Sequence, residues 1–467
     1  MTQNLKIKGK LYDPSVLGAA EYERVLMGTL FNKRPLTQKP DLMVQPKDIA
    51  DVIATVNYAR KVGKKVTICS GGHSWSANHM RNDSILIDMH YFNQFEINRE
   101  AKTAVAGPAT DGSTFLNAAM KQGLFFPVGH CKGVCIGGYL LQGGFGWNSR
   151  KIGMACENVI GLDIVTAAGE LVQANASENS ELYWAARGSG PGFFGVVVRF
   201  HLRLHPKPKY IGGILHYYRM KHLEDVFRWA AEIGPSVPAA VEFQIAVTQR
   251  TLSFLWPGLE VFAPIFADTK EELEAAKRFM QTCPIKHKAY FRTPYLPVGM
   301  NFMYGGVMTH YPENHCLNVD NMWTASPIDE LLPHLREIAD TIPSAPTHML
   351  WLNWYPPKNR PDMAYSLEEN IYIALYNMWQ PNRENAAQLN WATEMMEKMD
   401  YLSSGIQLAD ENLNHRTAKF MANDNLAKVN TIRAKWDTES RFHEWHSKPH
   451  QEIGLSSSQS GQAASMF

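Results

Sequence analysis

The chain has no run of about 18 consecutive apolar residues, and its opening, MTQNLKIKGKLYDP, lacks the apolar core of a signal peptide. No membrane-spanning helix is expected, and the protein is expected to be cytoplasmic. Charge of one sign is lacking too: 46 Lys and Arg stand against 45 Asp and Glu, a formal net charge of +1. Such a balance leaves no electrostatic footprint for nucleic acid or an anionic membrane, so the expected partner is a small molecule. Cysteine is scarce. Cys69, Cys131, Cys135, Cys156, Cys283 and Cys316 are too few and too scattered for a disulfide framework in 467 residues. Internal repeats are absent, as are the long polar tracts of a disordered chain.

What is present is enough apolar residue, 45% of the chain, to build two or three cores. Pro46 to Val62 reads as a helix, with apolar residues at three- and four-residue spacing and Gly63 as a stop. Strands are expected at Val66 to Ser70, Ser84 to Met89 and Thr103 to Gly107, with a helix at Thr114 to Gln122. Leu162 to Asn175 reads as a hairpin about Ala168-Gly169, and Gly195 to His205 as a sheet-edge strand. After Pro206 glycine thins out and aromatic residues and methionines accumulate. A second domain is expected there, an antiparallel sheet (Val241 to Val247, Val261 to Phe266, Met349 to Trp354, Asn370 to Trp379) covered by helices near 268–281, 328–340 and 383–399. The division reads 1–206, 207–420, a returning segment 421–448 and a loose tail 449–467.

Two clusters carry chemistry. Ser70-Gly71-Gly72-His73-Ser74 follows a strand, and paired glycines there let backbone N–H groups converge on an anion; a tight turn with a buried histidine is the plainer alternative. Gly129 to Gly146 (GHCKGVCIGGYLLQGGFG) is glycine-rich around apolar residues, which implies backbone pressed against something flat or extended. It contains neither GxGxxG nor GxxxxGK[ST], so it is neither a Rossmann turn nor a P-loop. Zinc at His130, Cys131 and Cys135 lacks a second ligand pair, and no metal site is expected.

Together these clusters resemble the FAD-binding domain of the vanillyl-alcohol oxidase superfamily (the PCMH type), and within it the berberine bridge enzyme-like branch. The resemblance extends through Pro40 to Pro46, Gly107-Pro108, Asp111-Gly112, Ser149 to Gly153, Val165 to Leu171, Trp184 to Gly188 and Phe194 to Val197. It closes on Lys435-Trp436-Asp437 and Arg441-Phe442, with Thr438 where proline is usual. It implies an α+β fold: a two-part FAD-binding domain followed by a substrate domain. In that family the histidine of GGH bonds to the flavin 8α-methyl carbon and the cysteine of the second cluster to flavin C6. The resemblance places these bonds at His73 and Cys131, whose imidazole and thiolate are suited to attack an electron-poor ring. It also implies cofactor contacts from Ser70, Gly71, Gly72, Ser74, Gly129, Val134, Gly137, Gly138, Tyr139, Gly143, Gly144, Gly146, Val197, Trp436 and Phe442. Valine at 134, three residues after the linking cysteine, goes in relatives with oxygen as electron acceptor and peroxide as product.

The chain departs from the pattern at Cys69 (usually arginine), Cys135 (usually glycine) and Tyr139 (usually histidine), whose hydroxyl is expected to replace that histidine's hydrogen bond. The stretch Ser404 to Asp410 lacks the tyrosines of the family's YxNYxD segment, one of them a catalytic base in sugar-oxidising members. The expected activity is hydride removal from an alcohol or amine carbon, with oxygen as final acceptor. A dehydrogenase with another acceptor and a non-catalytic flavin-binding protein are the alternatives. For the base, period-two alternation puts Tyr372 and Tyr376 on one strand face. Either phenol qualifies if a neighbour lowers its pKa, and Asp410 is the other candidate.

Overall fold

A computed structural model describes residues 5–251, 256–383 and 389–446. Helix Ile49–Lys61 starts on Asp48, whose side chain accepts from Asp51 N, and buries Val52, Val56 and Ala59. It packs on a four-stranded sheet in the order Lys10–Tyr12, Leu42–Gln45, Ser84–Asp88, Lys65–Cys69. The last three strands run parallel. A second, antiparallel sheet follows in the order Phe95–Asn98, Thr103–Ala106, Gly195–Arg203, Val159–Thr166, Leu171–Ala174. Gly195–Arg203 pairs on both sides, so it is the central strand and not the edge its alternation suggested. The polar residues on it are accommodated: His201 and Arg199 both pair with Asp163 of the neighbouring strand.

The third sheet runs Phe291–Arg292, Tyr210–Arg219, Gly258–Ala267, Phe243–Thr248, His348–Asn353, Ile371–Trp379, Cys316–Thr324, all antiparallel. One face packs under helices Leu223–Ile233, Lys270–Gln281, Ile328–Thr341 and Trp391–Lys398, where Ile245, Val247, Val261 and Ile373 form a core with Phe227, Met280, Leu335 and Met396. Alternation sends Gln244, Ala246, Glu260, Phe262, His348, Leu350, Tyr372 and Tyr376 to the other face. That face looks across a cavity at the first two sheets.

The chain then returns. Helix Asn423–Trp436 packs on Ser180–Ala186, and Phe442 forms a parallel bridge with Val66. The expected tail 449–467 lies outside the described residues. Among the described residues no helix is long and apolar enough to cross a membrane.

Candidate active site

The histidine loop is built by backbone constraint. Gly72 sits at φ +69°, and a Cβ there would fall 1.6 Å from Thr29 O, so no other residue fits. Gly72 O in turn accepts Phe31 N at 3.0 Å. This brings Phe31 against the His73 imidazole, stacked with ring centroids 4.7 Å apart. His73 Nδ1 faces Gly71 O at 2.9 Å. A carbonyl only accepts, so Nδ1 carries a proton in this contact. Burial pushes the His73 pKa below the ordinary histidine value, keeping the ring neutral.

The second loop is pinned beside it by Asp111. This carboxylate caps helix Gly112–Lys121 by accepting Thr114 N at 2.7 Å, and it accepts Gly133 N at 2.9 Å. The loop then touches the first: a Cβ on Gly133 would lie 2.9 Å from His73 Cε1, and one on Gly137 would lie 2.3 Å from Ser70 Oγ. Gly138 faces open space. Cys131 is half-buried and lines the cavity, its thiol pushed up to about 12, chiefly by burial and further by the Asp410 charge. Val134 and Cys135 both line the cavity, and Cys135 Sγ donates to Ala109 O at 3.3 Å.

The opposite wall brings together the three residues considered as proton acceptors. Tyr376 donates to Asp410 Oδ2 at 2.8 Å, Tyr372 donates to the same oxygen, and Trp75 Nε1 donates to Oδ1 at 2.5 Å. Burial raises the Asp410 pKa above the usual carboxylate range, and the three donors moderate that rise. Both phenols are pushed well above the ordinary tyrosine value, first by burial and then by the Asp410 charge. The lowered phenol pKa that a tyrosine base requires is therefore absent.

The cavity is about 630 Å³ and continuous from Phe442 and His443, past both glycine loops, to the third sheet. The residues singled out in the sequence line it, with four exceptions. Side chains at Gly143, Gly144 and Gly146 would strike Tyr365, Ala155 and Tyr139, so these glycines serve packing behind the wall. Trp436 instead donates its indole N–H to Glu181 Oε1 at 2.6 Å. Tyr139 does line the cavity, but its hydroxyl donates to Pro127 O at 2.7 Å and is not available to a ligand as expected. Lining residues that the sequence reading missed include Arg81, Gln142, Gln407 and His443. Gln142 and Gln407 fall inside stretches singled out above and His443 adjoins Phe442, whereas Arg81 carried no local signal.

An FAD fits this arrangement. The cavity is long and lined by both glycine loops, and Asn78 Oδ1, Gln407 Nε2 and His443 Nε2 are buried polar atoms of lining residues with no protein partner. Among the described residues no group of three or more His, Cys, Asp or Glu could hold a metal.

Residues 40–175 match the family of the FAD binding domain. The chain is 32% identical over 432 residues to the FAD-linked oxidoreductase nodO of Hypoxylon pulicicidum, covering 88% of this chain and 92% of that one. It is 25% identical to berberine bridge enzyme-like 24 of Arabidopsis thaliana, covering 89% and 81%. Among solved structures, 6-hydroxy-D-nicotine oxidase of Arthrobacter nicotinovorans superimposes with a TM-score of 0.80 at 19% identity, covering 95% of this chain and 98% of that one.

Proposed function

Because the chain belongs to the berberine bridge enzyme-like family of FAD-linked oxidoreductases, we propose that it is an oxidase whose flavin is attached through both His73 and Cys131. The observation that carries this reading is the convergence of His73, Cys131 and the Asp410 cluster on one cavity. When bound, the flavin supplies the acceptor for a hydride from an alcohol or amine carbon and the route for its electrons to oxygen.

The protein's part is positioning and proton transfer. A carboxylate oxygen offers about two acceptor sites. Tyr372 and Tyr376 fill those of Asp410 Oδ2, while Trp75 takes one of Oδ1. The second site of Oδ1 is left for the substrate O–H or N–H proton. Asp410 is thus the base, and the tyrosines are positioning residues that hold its orientation. Its raised pKa makes it a stronger proton acceptor than an exposed aspartate while it is ionised. Val134, lining the cavity beside Cys131, is where oxygen would reach the ring. The apolar lining from Leu215, Phe262, Leu350 and Leu352 excludes water from the transfer.

Anaerobic mixing with a panel of alcohols and amines tests this reading. Substrate-dependent bleaching followed by stoichiometric peroxide on admitting air is expected. Bleaching without peroxide would make the protein a dehydrogenase.

A further inference from the structure

The loop that follows His73 folds back on itself. Asn78 N donates to Ser74 Oγ at 3.1 Å, and Met80 N donates to Ala77 O at 2.8 Å. Arg81 ends this loop, its backbone held by Ser84 Oγ, which donates to Arg81 O at 2.7 Å. The Arg81 side chain is 8% exposed and belongs to the wall of the cavity. Its Nε donates to Asn78 O and its Nη2 to Glu444 O, each at 3.1 Å. Both acceptors are neutral carbonyls, and among the described residues Nη1 has no partner.

The charge is as poorly matched as the hydrogen bonds. Arg81 is the only lysine or arginine among the described residues that line the cavity. Glu411 is the carboxylate whose charge acts on it. That carboxylate is engaged elsewhere, accepting Ser76 Oγ, Asn78 Nδ2 at 2.7 Å and Leu413 N at 2.6 Å, and it forms no ion pair with Arg81 among the described residues. Burial brings the Arg81 pKa down to about 10, so the guanidinium stays charged at neutral pH. His443 on the same wall is held at about 4, first by burial and then by the Arg81 charge, and adds no second cation. A buried guanidinium without a paired anion is costly, and its planar fork is suited to phosphate oxygens.

The direction of the cavity selects the anion. The end at the third sheet is the substrate chamber of the reading above, which leaves the end at Phe442 and His443 for the nucleotide half of an FAD. Arg81, tied through Asn78 to Ser74 of the histidine loop, stands between. We infer that Arg81 is the counter-charge for the diphosphate of FAD, presented through Nη1, and that it sets the preference for a phosphorylated cofactor over the bare flavin. The inference rests on the reading of this cavity as the flavin site, and on neither the covalent linkages nor the electron acceptor.

Nucleotide binding tests it on the full chain, with ADP, adenosine and riboflavin as probes. His73→Ala/Cys131→Ala protein freed of flavin should bind ADP at least about tenfold more tightly than adenosine, with an affinity that falls as salt is raised. Arg81→Gln in that background, which keeps a donor for the carbonyls and removes the charge, should lose the preference while riboflavin affinity stays unchanged. Arg81→Lys should keep the salt dependence at intermediate affinity. On the holoenzyme, the phosphorus NMR resonances of bound FAD should shift in Arg81→Gln, and this measurement decides the matter should the stripped protein not fold. An ADP preference that survives Arg81→Gln, unmoved phosphorus resonances, or parallel loss of ADP and riboflavin affinity overturns the inference. Fully extractable FAD or a lack of peroxide would sink the functional reading alone, because the probes report neither linkage nor turnover.

Discussion

Trp75 donates its indole N–H to Asp410 Oδ1 at 2.5 Å across 335 positions of sequence. The same short loop carries His73, so the proposed flavin-linking residue and the proposed base are held in one fixed relation. Ser76 and Asn78 extend this tie by donating to Glu411. A group that must be placed within hydrogen-bond reach of a substrate lying on the flavin gains from such a connection.

The base is tested through flavin reduction. Asp410→Asn should slow it by at least about 10²-fold and remove the acidic limb of its pH profile. The limb reports the ionised carboxylate, so activity rises with pH through a pKa above the usual carboxylate range. The phenol of Tyr376 lowers that pKa by hydrogen bonding. Tyr376→Phe should therefore move the limb to higher pH while leaving the plateau within about tenfold. An unmoved limb would show that another group titrates.

Attachment is tested on denatured protein. After acid precipitation the polypeptide should stay yellow, and peptide mapping should find flavin on both His73 and Cys131. His73→Ala and Cys131→Ala should each retain one linkage, and the double variant should release its flavin. Fully extractable FAD in wild type would end this claim.

Oxygen reactivity is tested at Val134. Val134→Leu places a longer side chain on the cavity wall. In stopped-flow measurements it should slow reoxidation by air more than tenfold, roughly, while reduction by substrate stays close to wild type. Slow reoxidation of the wild-type enzyme itself would favour the dehydrogenase.

Stability should fall on the acid side for a reason visible at His79. Its ring is 5% exposed, and burial lowers its pKa from 6.5 to about 4. The unfolded chain binds the proton more readily, so the neutral ring contributes stability fully above about pH 6.5 and loses it as pH falls toward 4. His79→Gln should melt at a lower temperature near neutrality yet show a shallower loss between about pH 7 and 5. Parallel melting curves for the two proteins would exclude this contribution.

Strands with clean alternation, such as Ile371–Trp379, were legible in the sequence within a residue or two. Cys316–Thr324 was not, because Asn318, Asp320 and Asn321 interrupt its apolar pattern. Their burial is explained only by distant partners: Arg416 closes on Asp320 at 2.7 Å, and Asn321 Nδ2 donates to Asp410 O at 2.8 Å. Tyr210–Arg219 was hidden by Gly212 and Gly213, which weaken a strand signal yet here admit Leu296 and Tyr295 at Gly212 and Phe262 at Gly213. The candidate base was half legible. Period-two spacing puts both phenols on one face, but nothing local reveals that Asp410 turns back to them. Burial first and that carboxylate second raise both phenol pKa values, which moves the proposed role from the strand to the turn Leu408–Asp410.

The returning segment sets an order of events. Val66 N donates to Arg441 O at 2.7 Å, Arg441 Nη1 donates to Lys64 O at 3.0 Å, and Phe442 and His443 wall the far end of the cavity. The strand that leads into the histidine loop is thus joined to residues nearly 380 positions later, Arg441 and Lys64 being 377 apart. During synthesis the two glycine loops emerge early, but the chamber they border has no end wall until residue 443 has left the ribosome. Closure of the chamber consequently waits on the returning segment, and a chain arrested before Arg441 would leave the cavity open at that end.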